Sequence, residues 1–417
     1  MLMRQVSAFN HGVSVCVSGF SILLCSAFSA HASTTPISLE ISQQGAYESN
    51  VLRNEDGQER SSPVSTSGLD VQVDQSWGRQ HFQGGAGWAH QRFWNQDLLT
   101  NNPYSLNGQL DWSAASLLEG ELGGDHHRQL FVYSQIGDDF EKNIEELSRA
   151  WFRVRKGVVT KLTLEGEVNA FDRQFSSDTT SARADQRYVA GQGGIRYQPS
   201  PDLWGRGFFR YTRGAFPERT ASGDDYTRRD VEVGVNWKPS GASSLEAHLS
   251  AGRESHSLMT VQSVDVWAAG LSWRWQASGK LGLSLSLNRD SDTGSSTTLV
   301  VSDQGQVDLG NVGNTRTSTS ASAGVAWAAT SKINFNVRGR VTRRELDSRR
   351  SGTEGFDGGD LMRAVDVGVL YKPVRSLDLS CGVAFERRSV LGSVGNLSFA
   401  YDSTSALCGV SLWVARK

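Results

Sequence analysis

From residue 36 onward, apolar and polar residues alternate with period two, with no boundary in some 380 residues. Val231, Val233, Val235 and Trp237 alternate with Asp230, Glu232, Gly234 and Asn236. Leu281, Leu283, Leu285 and Leu287 alternate with Gly282, Ser284, Ser286 and Asn288, and Val365, Val367, Val369 and Tyr371 continue the pattern further on. Period two is the signature of a two-faced strand. Helical periodicity is absent except for a short stretch near Phe140 to Glu146, which reads as a turn in a loop.

A second period lies above the first. Aromatics close a strand before a short turn at Trp77, Trp112, Phe152, Tyr197, Trp237, Trp275, Trp327 and Tyr371, and Trp413 closes the last strand, at spacings of 35 to 52 residues. Short turns such as Lys238-Pro239-Ser240-Gly241 and Lys372-Pro373-Val374-Arg375-Ser376 alternate with longer stretches rich in Gly, Asp, Ser and Thr. Those stretches, Arg53–Ser65, Ser176–Ala184, Asp290–Asn314 and Ser348–Gly359, read as loops. Short turns at one end, long loops at the other and aromatics at the strand ends are the asymmetry of a membrane β-barrel. The fold class expected is therefore all-β: one closed antiparallel transmembrane barrel of about eighteen strands, with sixteen as the alternative. Six of the eight lysines (Lys156, Lys161, Lys238, Lys280, Lys332 and Lys372) sit at or beside short turns, where they can snorkel from a membrane edge. A soluble all-β repeat, such as a propeller or lectin, is the competing architecture, but so long a uniform chain exceeds the usual single soluble core.

Composition narrows the function. Net charge is −2, so no excess positive charge attracts phosphates and a nucleic-acid partner is not expected. Four Cys in 417 residues are too sparse for a disulfide framework. Residues 1–32 read as a secretory signal: Arg4, an apolar stretch from Val13 to Phe28, then Ala30-His31-Ala32 before Ser33. Cleavage there would leave a barrel domain over 33–417 and send it to the outer membrane of a Gram-negative cell, with Cys381 and Cys408 as its only thiols. Both Cys lie on the apolar face of the last two strands, and a hairpin centred near Val394 would set them opposite. A disulfide and two unpaired, lipid-facing thiols are the alternatives.

If the apolar face meets lipid, the polar face lines a lumen. That lumen would hold Arg153, Arg155, Arg196, Arg206, Arg210, Arg228, Arg274, Arg338, Arg340 and Arg344, with acids including Glu165, Glu167, Glu232, Glu246, Asp70, Asp74, Asp230 and Asp366. Arginine outnumbers lysine 34 to 8, and its planar fork suits carboxylates and hydroxyls. Two readings follow: the charges knit a wet wall, or they line a path for an acidic or polyhydroxylated solute, with Trp151 or Phe208 as a stacking surface. Eighteen strands leave an aqueous channel unless loops fill it; Asp290–Asn314 is the best candidate to fold inward, with a simple extracellular loop as the favoured alternative. The girdle at the short-turn end would comprise Trp77, Trp112, Tyr197, Trp237, Trp275, Trp327, Tyr371 and Trp413.

The sequence offers no catalytic, metal or cofactor motif. His126 and His127 are adjacent, so on a strand they point to opposite faces. Glu246, His248 and Ser250 share a face, but strand neighbours two apart lie about 7 Å from each other. No nucleophile elbow, phosphate loop or zinc spacing is present.

Val235–Ser255, Leu271–Ser296 and Leu370–Arg387 share one pattern: an aromatic-ended strand, a turn with Pro or Gly, Lys or Ser, then an alternating Leu strand ending in Arg with an acidic residue. This resembles the β-barrel porins encoded with exopolysaccharide biosynthesis operons, the EpsL-like group, most clearly over residues 185–417. The resemblance implies a non-enzymatic role in polysaccharide export, with outer-membrane lipid, a secreted polysaccharide and periplasmic export proteins as partners. A general small-solute porin, an outer-membrane enzyme and a structural barrel with a plugged lumen are the alternatives. Outer-membrane barrels usually end on an aromatic, whereas here Val414-Ala415-Arg416-Lys417 follows Trp413.

Overall fold

The computed structural model describes residues 36–114, 117–131, 142–157, 160–176, 185–218, 224–257, 263–301, 307–350, 353–392 and 399–414. Residues 1–32, read above as a secretory signal, lie outside them. Alternating residues become long antiparallel strands: β1 (Ile37–Glu48), β2 (Ser62–Trp77), β3 (Gln80–Phe93), β4 (Tyr104–Ala114), β5 (Leu118–Leu130) and β6 (Ile144–Lys156). They continue as β7 (Leu162–Phe175), β8 (Gln186–Ser200), β9 (Leu203–Phe216), β10 (Asp224–Ser240), β11 (Ser243–His256) and β12 (Val264–Gln276). The last six are β13 (Leu281–Val301), β14 (Val307–Ala328), β15 (Ile333–Arg350), β16 (Thr353–Val374), β17 (Leu377–Gly392) and β18 (Tyr401–Val414). Each strand pairs with its neighbours in sequence, and β1 closes the ring on β18 from Leu39↔Val414 to Glu48↔Ser405. The result is one closed 18-stranded antiparallel barrel without a free edge.

The connections separate by end. One end carries only short ones: 78–79, 115–117, 157–161, 201–202, 241–242, 277–280, 329–332 and 375–376. The other end carries longer connections such as 49–61 and 94–103, or taller strands. β13 and β14 stay in register up to Val301↔Val307, so Asp290–Asn314 is mostly a tall hairpin and not an infolded loop. Such strands need no apolar face once water bathes both sides, and Thr favours the extended backbone there. Likewise Ile144 to Glu146 begin β6 and are not a turn.

The apolar faces point outward. On β10, Val231 and Val233 are 57% and 52% exposed while Glu232 between them is 6% exposed. Every one of the eighteen strands places at least one large hydrophobic residue on the exposed side. A soluble sandwich would bury these faces against each other; here they form the outer wall, as a lipid-facing barrel requires.

At the short-turn end Trp77, Phe152, Tyr197, Trp237, Trp275, Trp327 and Tyr371 project outward and are exposed. Trp112 also faces outward, stacked on Phe152 at 6.4 Å and laid across Gly120, where a β-carbon would run into the indole. Trp413 departs from the girdle. Leu412 and Val414 face outward, so Trp413 points into the lumen, where its Nε1 donates to Asp378 Oδ2 at 3.2 Å. Cys381 and Cys408 are direct cross-strand partners on the outer face of β17 and β18, joined as a disulfide with an S–S distance of 2.10 Å.

Candidate functional site

Because parity is fixed by the outward aliphatic residues, the inward set follows strand by strand. Arg153 and Arg155 on β6, Arg196 on β8, Arg206 and Arg210 on β9, Arg228 on β10, Arg274 on β12, and Arg338, Arg340 and Arg344 on β15 all take inward positions. So do Glu165 and Glu167 on β7, Glu232 on β10 and Glu246 on β11.

From β5 to β10 the register sets opposite charges side by side. Glu121 pairs with Arg153, and Arg153 pairs with Glu167 on its other side. Arg153 accordingly reaches Glu121 Oε2 at 2.9 Å and Glu167 Oε2 at 2.7 Å. Arg155 bonds Glu121 and approaches Glu119 at 3.6 Å, and Arg196 lies 3.9 Å from Glu165. Further round, Glu232 is shared by Arg206 at 2.7 Å and Arg210 at 3.1 Å, and Arg228 holds Asp230 at 2.8 Å. The aromatics join this wall. The Arg196 guanidinium sits 4.5 Å from the Trp204 ring centre, and that of Arg206 sits 5.3 Å from Phe208. Phe208 is therefore covered and 7% exposed, not an open stacking platform. Trp151 lies flat across Gly123.

The arc from β12 to β15 is built differently. Arg274 stands beside Ser284, Arg340 beside Ser322, and Arg338 between Gly324 and Asp366. Among the described residues no hydrogen bond or ion pair ties Arg274, Arg338 or Arg340. Ser286 and Ser322 share a hydroxyl bond of 2.7 Å. This stretch is a serine-lined wall carrying guanidinium groups with donors to spare.

At the end with the longer connections, two segments fold against the inner wall. Val51, Leu52 and Leu99 pack with the inward Val64 and Phe93 into a small apolar cluster. Arg53 anchors the first segment: it holds Glu48 at 3.0 Å and lies 3.4 Å from Glu386 on β17. Its backbone takes φ +57°, a left-handed conformation uncommon outside glycine and held here by those contacts. Burial pulls the Arg53 pKa down, and Glu48 with Glu386 outweighs it, so the group stays firmly protonated. Tyr401 donates to Glu386 while Arg388 covers its ring at 4.6 Å, and Arg344 makes a forked pair with Asp360, with Nε to Oδ1 at 2.6 Å.

Sequence reasoning passed over Glu119, Glu121, Arg53, Glu386 and Asp360. The first two were legible, since they alternate with Leu118, Gly120 and Leu122. Arg53 was not, because alternation says nothing about where a connection goes, although Val51-Leu52 and Leu98-Leu99 are apolar pairs in otherwise polar stretches.

His126 faces outward, bonded to Tyr104 at 3.0 Å and Ser148 at 2.8 Å, while His127 faces inward, 3.9 Å from Asp125. No group of three or more His, Cys, Asp or Glu side chains suited to a metal ion occurs among the described residues.

No protein-family model matches the chain, and no curated protein matches it. Solved structures with similar architecture include Pseudomonas aeruginosa OpdO, at 16% identity and TM-score 0.47, with 91% of this chain and 97% of that chain covered. The outer membrane protein OpdK of the same organism gives 11% identity and TM-score 0.48, covering 91% and 99%. A mutant of its ferric enterobactin receptor PfeA gives 8% and 0.49, covering 92% and 81%. At these identities and TM-scores the likenesses decide neither family nor cargo.

Proposed function

We propose that the chain is a non-enzymatic outer-membrane barrel whose lumen conducts an acidic or polyhydroxylated solute. The observation that carries this is the β12–β15 arc, where Arg274 and Arg340 stand beside serine hydroxyls, Arg338 stands between Gly324 and Asp366, and none of the three has a protein acid bonded to it among the described residues. Guanidinium donors left unspent in a wall can meet carboxylates and sugar hydroxyls in passing. The outward apolar band on all eighteen strands supports the membrane setting. In the finer form of this reading the solute is a secreted polysaccharide delivered by periplasmic export proteins, and the EpsL-like pattern of the three hairpins supports it. A general porin for small solutes is the second reading. It is favoured by Val51, Leu52 and Leu99, which the two long connections carry inward against Val64 and Phe93.

Planar-bilayer recording on the purified barrel tests the conduit. The expected result is an anion-preferring conductance reduced by acidic oligosaccharides. A barrel that reconstitutes without conductance overturns it. Normal polymer secretion by a deletion strain, with conductance blocked by neutral sugars, selects the small-solute porin.

A further inference from the structure

The outer wall carries arginines as well as aliphatic residues, and they are grouped. On β15, β16 and β17 the outward positions above the apolar band are Arg343, Arg363 and Arg387, all exposed. Arg363 pairs directly with Arg387, and Arg343 is diagonal to Arg363, because Val341 is the residue opposite it. β9, β10 and β11 repeat the figure. Arg229 pairs with Arg253, and Arg213 is diagonal to Arg229, because Tyr211 is the residue opposite it.

Like charges directly opposite on one sheet face destabilise it. The acids nearby neutralise little: Glu345 is 3.4 Å from Arg343, Asp402 is 3.4 Å from Arg387 and Asp265 is 3.9 Å from Arg253, in exposed pairs of small worth. Arg213, Arg229 and Arg363 have no hydrogen bond or ion pair among the described residues.

Height fixes what these groups meet. Arg363 stands eight residues above Tyr371, and Arg229 eight above Trp237. At about 3.3 Å per residue and a tilt near 40° that is about 20 Å, close to the top of an apolar band about 25 Å tall. Both triads lie toward the end opposite the short turns. Beneath Arg363 and Arg387 runs an apolar groove of about 920 Å³ on the outer face from β15 to β2, lined by Val367, Val383, Phe385, Tyr47 and the Cys381–Cys408 bridge. Phe385 lies two residues below Arg387, so groove and triad are continuous.

We propose that the Arg343–Arg363–Arg387 triad and this groove bind a phosphorylated, multiply acylated glycolipid of the outer leaflet, of lipid A chemistry. The phosphate sits among the guanidinium groups, relieving their repulsion through charge-assisted hydrogen bonds, and acyl chains lie along the groove. The Arg213–Arg229–Arg253 triad is a second headgroup contact. A lumenal solute cannot reach side chains that look sideways into lipid. The proposal rests on the outer-membrane reading but on no particular cargo.

The test is native mass spectrometry of the delipidated barrel titrated with bisphosphorylated lipid A, dephosphorylated lipid A and phosphatidylglycerol. Wild type is expected to bind bisphosphorylated lipid A roughly tenfold or more tightly than the other two. R363Q/R387Q should lose about that factor while keeping its heat-modifiable migration, R363K/R387K should fall between, and K238Q at the short-turn end should match wild type. Equal binding by R363Q/R387Q, or phosphatidylglycerol binding as tight as lipid A, overturns the proposal. A barrel found in the outer membrane but indifferent to the phosphates overturns this site alone; absence from the outer-membrane fraction overturns the localisation with it.

Discussion

Arg206 and Arg210 share one carboxylate, Glu232, whereas Arg338 and Arg340 on the neighbouring arc of the same lumen bond none. Both pairs are inward, two residues or four apart on one strand, and bathed by the same water. What differs is the strand next door. β10 presents Glu232 at a height both arginines reach, while β14 presents Gly324 and Ser322, and Asp366 of β16 stands opposite Arg338 without bonding it. The lumenal Arg153, Arg155, Arg206 and Arg210 are thereby spent on holding the wall, whereas Arg274, Arg338 and Arg340 keep their donors unspent. A charged lumen is thus two materials, distinguished by cross-strand register and not by composition.

Removing the shared acid should break the first material most severely. Glu232→Gln leaves Arg206 and Arg210 side by side with their common counter-charge gone, the Arg206 side chain being 10% exposed. Breaking such a pair from one side costs about 3 kcal/mol or more, read as a fall in the urea midpoint at unchanged slope. A change below about 1 kcal/mol would mean that water, not Glu232, solvates those groups.

The Cys381–Cys408 bridge gives a control outside both arcs. It closes a 27-residue separation across β17 and β18 on the lipid face. The chain-entropy model assigns such a loop about 3.5 kcal/mol. C381S/C408S should lose a similar amount of stability with conductance and selectivity unchanged. Altered selectivity would show that the outer face and the lumen are coupled.

How much of this was legible before the structure depends on what alternation can encode. Parity decides inward from outward, so the arginine wall and the outward face shared by Cys381 and Cys408 could be read from single strands, and the hairpin centre near Val394 set the two Cys opposite. Trp413 could also have been read, since Val410, Leu412 and Val414 occupy the other face. Its recurrence in the series of strand-end aromatics drew it wrongly into the girdle. Partner choice is a property of two strands: the offset between β8 and β9, for example, is set by the 201–202 turn and the bulge beside it, which no single strand reveals. The inward course of residues 49–61 depends on Arg53 finding Glu386, more than three hundred residues away. The tall β13–β14 hairpin read as loop because strands beyond the membrane lose the apolar face that announces them.

The unpaired arc should respond in function and barely in stability. R338Q/R340Q removes two charges that hold nothing in place, so unfolding should move by no more than about 0.5 kcal/mol. Anion preference in a bilayer should fall or reverse, while the same substitutions at Arg206 and Arg210 should cost stability. If R338Q/R340Q leaves selectivity intact, current does not run along the serine-lined wall.

The smallest effect belongs to a carboxyl at the top of the paired arc. Asp185, between β7 and β8, accepts a bond from the Phe175 backbone N–H at 2.8 Å. Burial raises its pKa to about 6, with Glu218 and Asp172 adding repulsion against the opposing pull of that N–H and of Arg173. A carboxyl with a raised folded pKa binds more protons folded than unfolded between about pH 4 and 6. Its stabilising contribution is therefore complete below that window and is lost as pH rises through it. The group is largely solvent-screened, so the change should be confined to the β7–β8 strand ends. The free energy of opening at the Phe175 amide, from hydrogen exchange corrected for intrinsic rate, should decline from pH 4 to 6. In Asp185→Asn, which keeps the acceptor oxygen without the charge, it should stay flat. Protection that grows with pH in the wild type would mean that the hydrogen bond to the ionised carboxylate outweighs its burial and its acidic neighbours, and that the ionised form fits the paired arc after all.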